Sequence, residues 1–189
     1  HDIEGLITLM GGQEKFIGRL DSLFIAESKI EGPLVSSDIS GLIGQYAHGN
    51  EPSHHIVHLY NYVNQSWKTQ QLIDTILHTQ YFNNPNGLSG NEDCGQMSAW
   101  YVLNAMGFYQ VCPGSPIYSV GRPIFDKVTI NLPNGKVFEI IANNNSRTNK
   151  YIQSIRLDNI LLESPFFMHS DIMKGGKIVM EMGNTPVKQ

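Results

Sequence analysis

The chain has 189 residues, 41% of them apolar and 16% charged, a balance typical of one globular domain or two small ones with a sizeable core. Its net charge of −4 and its scattered basic residues argue against a nucleic-acid partner, which would need a basic stripe. No run of about 18 apolar residues occurs, so the sequence predicts no transmembrane span.

The first half of the chain, residues 1–112, is predicted to be mainly helical. It begins at His1 in what reads as the middle of a structural element, and we interpret the chain as part of a longer protein. A short helix is expected within residues 36–50, with Ser37 or Asp38 as its cap. Three other segments carry apolar residues at helical spacing. Their stripes are Phe16, Leu20, Leu23 and Phe24, then Ile56, Leu59, Tyr60 and Val63, then Leu72, Ile73, Ile76 and Leu77.

A histidine-rich segment opens the second of these helices. Residues 49–55 read GNEPSHH, and His58 follows. His54 and His58 are four residues apart, which on an α-helix is the spacing of a zinc-binding pair, but His55 stands where the HExxH motif needs its Glu. A zinc hydrolase using His54 and His58 is one alternative, and structural histidines are the other.

Three oxygen-bearing residues, Asn91, Glu92 and Asp93, stand between glycines just before a predicted helix that runs from about Gly95 to Gly107. The positive end of a helix favours an ionised carboxylate, so an acid held there is suited to be a base or a cation ligand. The same residues could equally be helix caps and nothing more. The helix is apolar around most of its circumference, which predicts a central position.

After Pro113 the sequence changes to short β-rich runs separated by turn signals. The runs are IYSV, KVTINL, KVFEIIA, YIQSIRL and KIVMEM. Asn134-Gly135 is a hairpin signal, and a second turn is expected at Asp158-Asn159. Helices followed by strands predict an α+β fold whose sheet is antiparallel.

Several long motifs in this sequence resemble family-92 glycoside hydrolases, the calcium-dependent, inverting, exo-acting α-mannosidases common in Bacteroides-type bacteria. The motifs are GNEPSHHIVHLYNY, WKTQ, GLSGNEDCGQMSAWYVLNAMGFY, PGSPIYSVGRPIFDKVTI, YIQS and HSDIMKGGKI. The resemblance covers nearly the whole chain. It implies that residues 1–112 are the last helices of an (α/α)₆ catalytic barrel and that residues 113–189 are a small C-terminal antiparallel β-region.

The resemblance also implies roles for individual residues. Asp93 matches the general base, and Glu92 is the nearby second carboxylate, because Asn91 stands where the family often has an acid. Glu51 lies in the motif that lines the site around the leaving sugar, and Asn50 stands where α-1,2-specific members tend to carry His. The full set of expected substrate-binding residues is Asn50, Glu51, His54, Asn91 and Gln96, with Asn50 and Asp93 as calcium ligands.

The general acid of the family is a Glu in a motif upstream of His1, and no Glu of this chain matches it, so the chain alone is expected to be inactive. An inverting glycosidase needs a protonated acid and an ionised base with a water between them. The implied whole is an α-1,2-type exo-α-mannosidase acting on N-glycans or mannans, in the periplasm or at the cell surface. The alternative from another class is a non-catalytic carbohydrate-binding or barrel-completing module.

Overall fold

The computed structural model of this chain describes residues 1–32 and 39–188. Helix α1, Ile3–Leu9, begins after Asp2, whose carboxylate accepts a 2.8 Å hydrogen bond from the Gly5 backbone N–H. Helix α2, Gln13–Ile25, buries Phe16 and Leu20 of its predicted stripe. Within the described part of the chain, no helix is long and apolar enough to cross a bilayer.

Residues 39–50 form a hairpin, so the short helix predicted there is wrong for these residues, and its expected caps Ser37 and Asp38 lie outside the described residues. Strand β1, Leu42–Ile43, pairs with β2, Tyr46–Ala47, in antiparallel register. The turn between them contains Gly44 at φ +61°, with its Cα against backbone atoms of α2. A Cβ there would collide with those atoms, so this turn requires glycine.

The histidine-rich segment folds into two 3₁₀ helices, Glu51–Ser53 and Ile56–Val63, and not into one α-helix. Helix α3, Ser66–Thr79, follows and buries Ile73, Ile76 and Leu77, as its stripe predicted. Helix α4, Gln96–Met106, ends at Gly107, whose φ of +106° is the left-handed C-cap that the sequence predicted. Its inner face is fully buried at Met97 and Trp100, while Val102 is exposed on the outside.

The β-rich half begins with β3, Phe108–Tyr109, and β4, Ile117–Val120, which pair with each other. The longer strands are β5, Lys127–Asn131, β6, Val137–Asn143, and β7, Tyr151–Leu157, followed by the two-residue β8, Ile160–Leu161. Then come β9, Phe166–Met168, helix α5, His169–Lys174, and β10, Gly176–Gly183. Every β-rich run of the sequence contains a strand, and the α+β fold class is confirmed.

The larger sheet has five strands in the order β5-β6-β10-β7-β8, and it is mixed, which corrects the prediction of an antiparallel region. Strand β10 enters between β6 and β7, parallel to β6 and antiparallel to β7. The chain between β6 and β10, residues 144–175, supplies the long crossover that parallel neighbours need. Buried side chains of the two central strands then meet in register, as Ile178 does with Ile140.

A three-stranded sheet in the order β3-β4-β9 connects the helical and β-rich parts. Phe108 and Val120 from this sheet join the core of the five-stranded sheet. Two further buried clusters belong to the helical part, and one of them contains Tyr46, Val57, Ile73 and Trp100. That cluster lies directly under the loops that carry the candidate functional residues.

Candidate active site

Two Gly-Asn-Glu stretches, residues 49–51 and 90–92, touch at their glycines. A Cβ added to Gly90 would lie 2.8 Å from the backbone oxygen of Gly49, and one added to Gly49 would lie 2.6 Å from the backbone oxygen of Ser89. Contacts this short leave no room for a side chain, so both positions require glycine for close backbone approach. This junction brings together the two segments that the sequence analysis singled out separately.

The carboxyl group of Asp93 lies within hydrogen-bonding reach of the carboxyl group of Glu51. Asp93 is exposed and opens a turn in which Asp93, Cys94 and Gly95 all have positive φ, at +50°, +56° and +87°. The neighbouring Glu51 raises the pKa of Asp93, because two adjacent carboxyl groups favour sharing a proton. Glu51 is half-buried, and its Oε1 is shielded from solvent with no hydrogen-bond partner among the described residues.

Glu92 points the other way, towards helix α4. Its carboxylate accepts hydrogen bonds from the Ser98 backbone N–H at 2.9 Å and from the Ser98 hydroxyl at 2.7 Å. These bonds lower the pKa of Glu92. All three oxygen-bearing residues were expected just before this helix; its first residue is Gln96, and Glu92 is the acid whose carboxylate meets the helix N-terminus.

Asn50 and Asn91 flank the acid pair from the two stretches. Asn50 is half-buried, and its backbone oxygen accepts the Ser53 N–H at 2.9 Å, which starts the first 3₁₀ turn. Asn91 is exposed and lies outside regular secondary structure, two residues before the left-handed turn begins at Asp93. Both asparagines therefore belong to the two segments that meet at this junction.

The side chains of His54 and Gln96 connect the two stretches. The Gln96 amide donates to His54 Nδ1 at 3.1 Å and to the Tyr109 hydroxyl at 3.1 Å. The other ring nitrogen of His54 donates to the His48 backbone oxygen at 3.0 Å. Burial lowers the pKa of His54. Of the predicted substrate-binding residues, these two are tied to protein partners at the base of the junction.

The zinc alternative is contradicted by the hydrogen bonds of the two histidines. His58 is fully buried, with its ring nitrogens bonded to Ser119 Oγ at 3.1 Å and Asn104 Oδ1 at 2.9 Å. Burial lowers the pKa of His58 to about 4. Both nitrogens of His54 are also engaged, so neither ring is available to a metal. His54 also ends the first 3₁₀ helix while His58 lies in the second, so the two are not residues i and i+4 of one α-helix.

His48 is a buried residue of this region that the sequence analysis missed. Its ring nitrogens lie 2.9 Å from the Tyr46 hydroxyl and 2.7 Å from the Tyr81 hydroxyl, and burial lowers its pKa to about 3. The ring also packs edge-on against Trp100, with 4.4 Å between centroids. Its position one residue before Gly49 could have indicated a role for His48 at the site. It was missed because residues 36–50 were interpreted as a short helix.

The donor set at the junction suits a hard cation better than a soft one. Asn50, Glu51 and Asp93 offer amide and carboxylate oxygens, the ligands that calcium prefers. The unpartnered, shielded Oε1 of Glu51 is an atom that a cation or a sugar hydroxyl would satisfy. Within residues 1–32 and 39–188, no group of three or more His, Cys, Asp or Glu side chains is placed to hold a metal. The chain's own acids thus supply only part of a coordination shell.

An open cleft of about 510 Å³ lies beside this junction. It is lined by Tyr81, Phe82, Asn83, Asn84, Tyr101 and Val102, among others. Ser98, which bonds Glu92, also lines it, whereas Asp93 and Glu51 do not. The cleft therefore adjoins the carboxyl pair without containing it.

The family model of the glycosyl hydrolase family 92 catalytic domain matches residues 1–184. The chain belongs to glycosyl hydrolase family 92. The resemblance inferred from the sequence motifs is thereby confirmed. The Gly-Asn-Glu junction is the part of this family-92 chain in which the resemblance placed the base and the residues around the leaving sugar.

Solved structures of the family share the fold of this chain. A family GH92 alpha-mannosidase from Bacteroides thetaiotaomicron, in complex with mannoimidazole, is 42% identical and superposes with a TM-score of 0.91, covering 98% of this chain and 24% of that one. A family GH92 inverting mannosidase from the same organism is 40% identical with a TM-score of 0.84, covering 98% of this chain and 26% of that one. The family-92 chain therefore spans about a quarter of each.

A curated relative from the fungus Arthroderma benhamiae is 28% identical over 186 residues and is described as an uncharacterized secreted glycosidase. The match covers 97% of this chain and 22% of the relative. The chain therefore spans about a fifth of this relative as well.

Proposed function

We propose that the protein to which this chain belongs is an inverting exo-α-mannosidase that removes α-linked mannose from N-glycans or mannans. The observation that carries the proposal is the exposed carboxyl group of Asp93, paired with Glu51 where the two Gly-Asn-Glu stretches meet. The two Bacteroides relatives described above, one an alpha-mannosidase and one an inverting mannosidase, support the substrate and the stereochemistry.

In this proposal Asp93 is the general base that takes a proton from the attacking water. Its exposure leaves it open to water and substrate, whereas the Glu92 carboxylate is occupied by the helix start. Inverting glycosidases hold their acid and base about 6.5–9.5 Å apart to leave room for water. Glu51 touches Asp93, so that pair is too close, and we place the general acid outside this chain.

Calcium fits the same junction. Asn50 and Asp93 are the proposed ligands, and Glu51 can add its shielded Oε1. When bound, calcium supplies a hard Lewis acid that holds and orients sugar hydroxyls. The chain's own contribution is to hold three oxygen-bearing side chains at one place through the close packing of Gly49 and Gly90.

We also propose that residues 1–112 are the last helices of an (α/α)₆ barrel and that residues 113–189 are its C-terminal β-region. The order of elements supports this division, although β3 and β4 pair across it. Asn50 stands where α-1,2-specific members of the family tend to carry His. An assay on mannobiosides of different linkage therefore decides which linkage the protein cleaves. A periplasmic or cell-surface location is consistent with the secreted relative.

The test compares the full-length protein with its Asp93→Asn variant on α-linked mannobiosides. We expect kcat to fall by about 10³-fold or more while KM changes little, because the carboxylate acts only in the transition state. Loss of activity with a chelator and recovery with calcium tests the cation. Retention of activity within about tenfold in Asp93→Asn would exclude Asp93 as the base. The isolated 189-residue chain should release no mannose.

The cleft beside the junction supports one alternative from another class. Exposed Phe82 and the partly exposed Tyr101, with the amides of Asn83 and Asn84, are the kinds of groups that bind sugars without catalysis. If the full-length protein and its Asp93→Asn variant bound mannosides equally well and the full-length protein hydrolysed none, a carbohydrate-binding or barrel-completing module would be the better description.

A further inference from the structure

Each acid of the junction begins a turn that a backbone hydrogen bond closes three residues later, a right-handed 3₁₀ turn at Glu51 and a left-handed turn at Asp93. The His54 backbone N–H bonds to the Glu51 oxygen at 3.0 Å, and the Gln96 backbone N–H bonds to the Asp93 oxygen at 3.2 Å. The side chains of those two closing residues, His54 and Gln96, bond to each other.

The direction of that bond is determined by its neighbours. The His48 backbone oxygen can only accept, so His54 Nε2 must carry the hydrogen of the 3.0 Å bond between them. A neutral imidazole has one N–H, which leaves Nδ1 as an acceptor. Gln96 must therefore present its NH₂ group, and not its oxygen, to His54.

The second hydrogen of the same NH₂ group is donated to the Tyr109 hydroxyl at 3.1 Å. Trp100 further fixes the histidine loop, because its indole N–H donates to the His54 backbone oxygen at 3.0 Å. His54 is 1% exposed, so water cannot replace the Gln96 donor at low cost. The link is directional and desolvated on the histidine side.

We propose that Gln96 is a positioning residue that sets the separation of Asp93 and Glu51 by donating its amide N–H to His54. This inference rests on the proposed function, since positioning matters only if Asp93 acts on a bound sugar. Gln96 would act through His54 and the two turns and would make its contribution without touching the reacting atoms. A displacement of about 1 Å at a reacting group can cost about 10²-fold in rate.

The experiment uses the full-length enzyme and three variants. Gln96→Met keeps the volume and removes both donors, and Tyr109→Phe removes the second acceptor but leaves the bond to His54. We expect Gln96→Met to lower kcat by about 10- to 100-fold with KM within about threefold, and Tyr109→Phe to change kcat by less than about threefold.

Gln96→Glu adds a second measurement, the dependence of its activity on pH, which would not change if Gln96 had a purely structural role. Its ionised carboxylate cannot donate to His54 Nδ1, but its protonated form can donate one hydrogen bond. Relative to wild type, the activity of Gln96→Glu should therefore recover as the pH is lowered towards the pKa of the introduced group. This variant is informative even if Gln96→Met fails to fold.

Three results are distinguishable. Wild-type enzyme without mannosidase activity refutes the proposed function and, with it, the positioning role that rests on it. An active wild type with Gln96→Met within about threefold in kcat refutes the positioning role. A rise in KM of tenfold or more at unchanged kcat, about 1.4 kcal/mol of lost binding, would also refute it, because Gln96 would then bind the sugar directly.

Discussion

Asp74 of helix α3 connects the helical part to the β-rich part through a buried ion pair. Its Oδ1 lies 3.1 Å from Arg122 Nε, in the segment between β4 and β5, and its Oδ2 lies 3.3 Å from Lys150 Nζ. Only 3% of the Arg122 side chain and 11% of the Asp74 side chain are exposed. Burial lowers the pKa of Arg122, and the charge of Asp74 opposes that shift.

Asp74→Asn preserves the shape of the side chain and removes its charge. Arg122 then remains buried without a counter-ion, because its other bonds are to the backbone oxygens of Pro123 and Ser146. Removing one partner of a buried pair typically costs about 3–5 kcal/mol. We expect a loss in that range, because Lys150, with 26% of its side chain exposed, would lose less than Arg122.

The assay is urea denaturation of the full-length protein, and the free energy of unfolding is taken from the midpoint and slope of the denaturation curve. Glu139→Gln is the matched control: its Lys127 partner is 55% exposed, so the loss should be about 0–1 kcal/mol. Adding Arg122→Met to Asp74→Asn should restore part of the stability, since no buried charge is then left unpaired. A loss for Asp74→Asn no larger than that of the control, or additive losses in the double variant, would refute the reasoning.

Three further predictions concern the junction and its surroundings. Glu92→Gln should lower the denaturation temperature, because it loses charge-assisted hydrogen bonds to Ser98, and it should leave kcat within about threefold. A kcat loss as large as that expected for Asp93→Asn would instead support a catalytic role for Glu92. Gly49→Ala should lower kcat/KM by about tenfold or more, because its Cβ would lie 2.6 Å from a backbone oxygen. The control Gly18→Ala has open space around the added Cβ, so it should leave kcat/KM unchanged and be neutral or stabilising for the fold. Equal effects of the two variants on kcat/KM would contradict the close-approach argument. Burial lowers the pKa of His58 to about 4, so between pH 6.5 and pH 4 the unfolded state binds more protons than the folded state. The urea midpoint should therefore fall as the pH is lowered through that window. A midpoint that does not change over this range would contradict the prediction.

Elements with strong local signals could be predicted from the sequence. The stripe of α3 gave the correct buried face at Ile73, Ile76 and Leu77 because a long amphipathic period admits few alternatives. The Asp158-Asn159 turn was also predicted correctly, and both residues adopt positive φ, at +47° and +71°, as a tight hairpin turn requires. In these places a few neighbouring residues determine the conformation.

Long-range pairing could not be predicted in the same way. Strand β10 reads as an ordinary β-rich run, and nothing local indicates that it enters between β6 and β7. The hairpin of β1 and β2 was interpreted as helix, because its glycine turn is determined by the backbone of α2 packed behind it. Contacts between distant segments determine both features, and a single sequence carries no direct record of them.

The candidate site was predicted in composition and not in arrangement. The motifs identified Glu51, Asp93 and Gln96, and the structure brings all three to one junction. Which of the two acids meets the helix could not be predicted, because two non-glycine residues, Asp93 and Cys94, adopt left-handed φ that few such residues adopt. His48, which lies beneath the junction, gave no motif, since its role comes from Tyr46 and Tyr81.

The raised pKa of Asp93 bears on how a base could work at this junction. A general base must be ionised before it can take a proton from water, yet Glu51 beside it favours a shared proton. When positive charge or sugar hydroxyl donors reach the shielded Oε1 of Glu51, Glu51 has less need of the shared proton, and Asp93 can stay ionised. Binding and base activation would thus be coupled through Glu51: Glu51→Gln should lower the apparent pKa of the basic group in the kcat/KM profile of the full-length enzyme while weakening substrate or calcium binding. An unchanged profile in Glu51→Gln would mean that the two carboxyl groups are independent during the reaction.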